Sequence, residues 1–273
     1  MPDQGDPLAR IADALERLSP RTVSVDWAQF PAYVWDGTAG AGRPRIDAPA
    51  LGQLRAIERQ KRLVIEAIAR HAAGFAAHDM LLWGARGTGK SALVRAATAS
   101  QQAGGATLAL VQIPVDRLDS LPALFGMLSQ VERQFIVLID DLGFERADSA
   151  HLRLLRSCLE GGVDPRPSNV RLAVTANRRA LVERADPGAS LHESEELDEA
   201  FALADRFGLS IGFHALSRDD YLAIVDSYAA PLALEWSPEE AIAWSRQRGA
   251  LSGRAARQFV VELAGRAGKA MTD

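Results

Sequence analysis

The apolar positions of this chain change period along its length. From Ala50 to Ala73, Leu54, Ile57, Leu63, Ile65 and Ile68 recur at helical spacing and predict one long helix. Short apolar runs then alternate with helical segments. Strands are predicted over Met80–Gly84, Thr107–Ile113, Phe135–Asp140, Val170–Ala176 and Leu209–Phe213, and helices over Lys90–Gln102, Leu121–Val131 and Ser149–Glu160. A continuous run such as Phe135-Ile136-Val137-Leu138-Ile139 suits a strand covered by helices on both faces. The pattern predicts a three-layer αβα sandwich around a five-stranded parallel sheet. After residue 215 the strand signals stop, and three helices are expected, over Arg218–Tyr228, Pro238–Arg248 and Gly253–Arg266.

Ahead of this lies a different composition. Residues 1–45 combine a short helical pattern (Leu8, Ile11, Leu15, Leu18) with the aromatics Trp27, Phe30, Tyr33 and Trp35, and end in a Gly- and Pro-rich stretch. This reads as an extension packed on the core, with a partner-binding surface as the alternative. The predicted division is an extension over 1–45, an αβα core over 46–215 and a helical domain over 216–273.

With 48% hydrophobic residues the chain has ample material for a packed interior. No run of 18 apolar residues occurs, and Asp3, Asp6 and Pro7 break the order of a signal peptide, so a cytoplasmic protein with no membrane partner is expected. A net charge of −4 supplies no global field for nucleic acid. The single cysteine, Cys158, excludes an internal disulfide, and its place among Leu154, Leu155 and Leu159 points to burial.

The strongest chemistry follows the first strand. Gly84-Ala85-Arg86-Gly87-Thr88-Gly89-Lys90-Ser91 matches the pattern G-x-x-x-x-G-K-[ST] at every fixed position. Its glycines let the backbone wrap a polyphosphate, so that amides at the start of the next helix face negative charge. Lys90 would reach the β- and γ-phosphates and Ser91 would bind Mg2+. Only three of the 31 basic residues are lysines, which makes this one conspicuous.

Further candidates stand where the other strands end. Asp140 and Asp141 close the Phe135 strand: the first would hold Mg2+, and the second would orient or deprotonate an attacking water. Two acids capping the next helix are the plainer account. Asn177 would bridge that water and the γ-phosphate, or simply start a loop. Arg206 follows the acidic run Glu193–Glu199. It is either a salt-bridge partner of those acids or a cation supplied to a neighbouring subunit's γ-phosphate. Arg254 and Arg257 share one helix face, either solvated or, for Arg254, folded over the nucleotide.

Together these residues resemble an AAA+ ATPase over about 220 residues. By that resemblance Gly84–Ser91 is the Walker A loop, Asp140 and Asp141 end Walker B, Asn177 is sensor 1, Arg206 the arginine finger and Arg254 sensor 2. Gly84–Ser91, Asp140–Glu145, Thr175–Arg179, Ala204–Leu209 and Ser252–Arg254 are more narrowly similar to a bacterial domain-of-unknown-function family of predicted AAA+ ATPases. The resemblance implies ATP with Mg2+ between the core and a helical lid, contacts extending from Gly84 to Ala92, and Ile57 and Gln60 near the adenine. It implies a homo-oligomeric switch acting on an unidentified protein client. Many such enzymes end Walker B with Asp-Glu; Asp140-Asp141 implies slower turnover, with Glu145 as a substitute base. A DNA-associated loader using Arg166, Arg171, Arg178 and Arg179, and a small-molecule kinase, are the rival readings.

Overall fold

A computed structural model describes residues 25–143, 149–160, 166–177 and 202–271, the side chains of 149–151 excepted. Its strands are β1 (Ala32–Trp35), β2 (Gly40–Arg43), β3 (Met80–Gly84), β4 (Leu108–Ile113), β5 (Gln134–Leu142), β6 (Val170–Ala176) and β7 (Leu209–Phe213). The helices are α1 (Glu58–Ala72), α2 (Lys90–Ala103), α3 (Leu121–Leu128), α4 (Ser149–Glu160), α5 (Arg218–Ala229), α6 (Pro238–Gln247) and α7 (Gly253–Arg266).

The described strands form one sheet in the order β2-β1-β4-β5-β6-β3-β7. The expected five, β4-β5-β6-β3-β7, are its parallel core. The expectation of five strands is corrected to seven, because β1 adds parallel to β4 and β2 returns antiparallel on the edge. Alternate residues of β5 serve opposite faces. Phe135, Val137 and Ile139 join α3 and α4 in one apolar cluster, while Ile136 and Leu138 join α1 and α2 in another. Each such side chain contributes about 1.5–3 kcal/mol on burial, which is why the strand tolerates no polar alternation.

The N-terminal aromatics belong to the first of these clusters. Trp27, Tyr33 and Trp35 are buried, Tyr33 donates to Asp26 O at 2.7 Å, and Trp35 Nε1 donates to Ser120 Oγ at 2.7 Å. They are core, so they offer no partner-binding surface. In β2, a Cβ on Gly40 would fall 2.5 Å from the Trp27 ring and one on Gly42 2.1 Å from the Phe30 ring. The glycines of this Gly- and Pro-rich stretch are the space in which these rings lie against a strand.

The helix expected over residues 50–73 begins only at Glu58, after a short 3-10 turn at Leu51–Gln53. Between them Ala56 takes φ 65°, which interrupts the helix; Leu54 and Ile57 pack into the second apolar cluster, and both border the cleft described below. The helices α5, α6 and α7 close around a third cluster built on Tyr221, Val225, Ala256 and Phe259. Leu8 to Leu18, Glu145, Arg178, Arg179 and the 193–199 run lie outside the described residues. No helix among those described is long and apolar enough to cross a membrane.

Candidate functional site

In a parallel sheet whose helices cover both faces, the carboxyl ends of the strands are where loops can converge on a ligand. Here β3, β5 and β6 end side by side, delivering Gly84, the Asp140-Asp141 pair and Asn177 to one edge. The Gly84–Ser91 loop leaves β3 and turns into α2. Ala85 N donates to Phe213 O at 3.0 Å, which ties the loop to β7. Gly89 caps α2 with φ 96° and has no side chain, so the amides of the first turn keep their direction toward an anion.

Lys90 is buried, and its three donors are all placed: Gly84 O at 3.0 Å, Ala85 O at 2.8 Å and Asn177 Oδ1 at 3.0 Å. Burial lowers its pKa to about 8, against the opposing pull of Asp141 and Asp140. Asn177 completes a relay, because its Nδ2 donates to Asp141 Oδ1. A second set lies beside it. Ser91 Oγ donates to Asp140 Oδ1, as does Thr175 Oγ1 at 2.6 Å. A hydroxyl and a carboxylate are hard oxygen donors of the kind that hold Mg2+ together with phosphates and water, so this pair fits that ion. Among the described residues no three His, Cys, Asp or Glu side chains converge to hold a metal on their own.

These groups line a cleft of about 710 Å³. Its floor is Arg86 to Ala92 with Asp140, Asp141 and Asn177. Its apolar end includes Leu54, Ile57, Ile224 and Tyr228, and Arg254 and Arg257 border it from α7. The helical unit rests directly on the loop: Gly253 N donates to Gly87 O at 2.7 Å, and a Cβ on Gly87 (φ 72°) would fall 2.7 Å from Ser252 Cβ. Ser227 Oγ also donates to Gln53 O at 3.0 Å.

Gly84 and Ala85 lie outside the cleft lining and take part through their carbonyls. Gln60, expected near the adenine, is not among the residues lining the cleft, and its amide donates to Gly212 O at 3.0 Å. Arg206 is away from its own chain's cleft and pairs with Glu160 at the end of α4; this described partner is not one of the 193–199 acids named from sequence. The described arginines of the DNA reading are engaged at the opposite strand ends. Arg166 pairs with the buried Asp79, and Arg171 Nε donates to Ala77 O at 2.7 Å. Cys158 is half-buried, and burial pushes its thiol pKa up.

Sequence reasoning assigned no role to Asp47–Ala50, Arg95 or Met271, which also border the cleft. Nothing periodic marks them. From sequence alone Thr175 carries no separate role and only begins the Thr175–Arg179 stretch, whereas its hydroxyl touches both acidic positions.

A family model described as "Protein of unknown function (DUF815)" matches residues 28–267. Among solved structures, the Thermotoga maritima RuvB Holliday junction branch migration motor is similar at 17% identity and TM-score 0.52, over 81% of this chain and 66% of that one. The Aeropyrum pernix ORC1 protein, in complex with DNA, is similar at 17% identity and TM-score 0.54, over 80% of this chain and 63% of that one. The chain therefore spans just under two thirds of either. At such identity the likeness establishes a shared fold, the AAA+ P-loop fold. Proteins of curated function contain no match to the sequence.

Proposed function

The chain belongs to the DUF815 family, and from the site it carries we propose that it binds and hydrolyses ATP as an oligomeric AAA+ switch acting on a protein client. The observation that carries this reading is the linked pair of contacts at the cleft floor. Lys90, Asn177 and Asp141 form one chain, and Ser91 and Asp140 form a second beside it.

The residues divide the work as follows. The amides of the Gly87–Lys90 turn and the Lys90 ammonium bind the phosphates. Ser91 and Asp140 would hold Mg2+, which neutralises charge on the β- and γ-phosphates when bound. Asp141 accepts the proton of the attacking water. Asn177 is the point of communication: a phosphate that draws Lys90 away from Asn177 Oδ1 loosens the same amide's hold on Asp141. Binding thereby readies the base. Ile57, Leu54, Ile224 and Tyr228 provide the apolar surface that a purine needs.

Arg254 enters the cleft from the helical unit, so that phosphate contact there couples cleavage to the angle of α5–α7 on the core. Arg206 faces away from its own cleft and is available to a neighbouring subunit's nucleotide once it exchanges Glu160 for phosphate. Replacing Arg206 with alanine is expected to lower turnover about tenfold or more and to weaken ATP-dependent assembly. Unchanged turnover and sedimentation would refute its role in trans.

DNA is the rival partner raised by the sequence, and the Aeropyrum pernix ORC1 structure, in complex with DNA, keeps it in view. The engaged state of Arg166 and Arg171 and the net charge of −4 argue against it. The governing test is a titration of the wild-type protein with ATP, with and without Mg2+, followed by phosphate release with no acceptor present. Binding and phosphate release support an ATPase; ADP formed only when an acceptor is added, with the phosphoryl group carried on that acceptor, indicates a kinase. No affinity in either condition sinks the proposal.

A further inference from the structure

Two acidic residues on one strand face a single residue on the next. In the β5–β6 ladder Ile139 pairs with Val174 and Leu142 with Ala176, so Asp140 and Asp141 together oppose Thr175. This is a β-bulge, which leaves one backbone donor without its ladder partner. The Thr175 hydroxyl takes that place, accepting from Asp141 N at 2.9 Å. The same oxygen donates to Asp140 Oδ1 at 2.6 Å and lies 3.5 Å from Ser91 Oγ. Thr175 is 1% exposed and stands at the inner wall of the cleft. One proton and one lone pair therefore fix the carboxylate of the first acid and the backbone of the second.

We propose that Thr175 is the positioning residue of the divalent-cation site, setting the direction in which Asp140 faces Ser91 and the turn on which Asp141 is carried. The inference rests on the Mg-ATP reading of the cleft. Valine has the shape and strand preference of threonine but neither donates nor accepts, so in Thr175→Val the Asp140 carboxylate loses its fixed orientation and Asp141 N–H loses its acceptor. Serine keeps the hydroxyl. A threonine that served only packing would show the reverse order, with valine tolerated and serine impaired.

The measurement is the affinity of a fluorescent ATP analogue for the full chain, first in EDTA and then over a Mg2+ titration, for wild type, Thr175→Val and Thr175→Ser. Orienting partners behind metal ligands change metal affinity by about 10–100-fold. The Mg2+ midpoint of Thr175→Val is expected to rise by about tenfold or more, with affinity in EDTA unchanged within about twofold; the Thr175→Ser midpoint stays within about threefold of wild type. A Thr175→Val midpoint equal to that of wild type overturns the proposal. If the valine variant does not fold, Thr175→Ala against Thr175→Ser gives the same decision, and equal midpoints again overturn it. Failure of the underlying reading shows separately, as a wild type that binds no nucleotide or ignores Mg2+.

Discussion

Lys90→Met is expected to abolish measurable ATP binding while leaving the fold intact. The ammonium's three bonds go to Gly84 O, Ala85 O and Asn177 Oδ1. With ATP bound, contacts to the β- and γ-phosphates replace the outermost of them. A hydrogen bond to a charged group is worth about 1.5–3 kcal/mol, so losing two costs about 3–6 kcal/mol, or two to four decades in Kd. The fold should not suffer, because methionine keeps the stem and removes a desolvated charge. The lowered pKa adds a dependence on pH. Free Lys90 titrates near 8 against an ordinary 10.5, so between those values the unfolded chain holds more protons and stability rises with pH. Phosphates pull the pKa back up, and ATP binding above pH 8 must therefore take up a proton. Affinity is expected to be flat below pH 8 and to fall above it by at most about tenfold per unit. In Lys90→Arg the residual binding should show no such slope, since guanidinium stays charged. Calorimetry in two buffers of different ionisation heat checks the proton uptake. Undiminished binding by Lys90→Met would remove the basis of the whole reading.

What could be read from the sequence was what is local in it. The strand from Val170 to Ala176 and the helix from Ser149 to Glu160 coincide with expectation because a buried run and a helical stripe need no distant partner to be recognised. The phosphate loop was legible for the same reason. The β1–β2 hairpin was not, because Gly40 and Gly42 belong to a Gly- and Pro-rich stretch with no strand pattern, and only the packing of Trp27 and Phe30 over them shows their use. The break at Ala56 was hidden because Leu54 and Ile57 keep helical spacing while belonging to a non-helical turn. Gln60 matched the expected face of α1 but is used by the Gly212 carbonyl, a partner supplied by a strand 152 positions away. Thr175 was hidden by topology. Its importance comes from a bulge in a neighbouring strand, which no pattern in its own segment records.

The second large effect concerns Asp141. Asp141→Asn is expected to bind ATP within a few-fold of wild type while turnover falls by about two to four decades, the range a general base contributes. The backbone makes this substitution clean. Asp141 takes φ 60°, a left-handed conformation that Asn and Asp adopt more readily than most side chains, and the asparagine oxygen can still accept from Asn177 Nδ2. The same angle bears on why the chain carries Asp-Asp where a longer second acid would reach further. Glutamate here would have to adopt a left-handed backbone at a cost of about 1–2 kcal/mol, or relax the bulge that presents Asp140 to Ser91. Asp141→Glu is therefore expected not to raise turnover, although reach alone would favour it. Single-turnover phosphate release with stoichiometric ATP measures both variants without interference from assembly. Wild-type turnover in Asp141→Asn would transfer the base role to Glu145 or another group. Faster turnover in Asp141→Glu would mean that the bulge yields, and that the short acid, rather than the backbone beneath it, limits the rate.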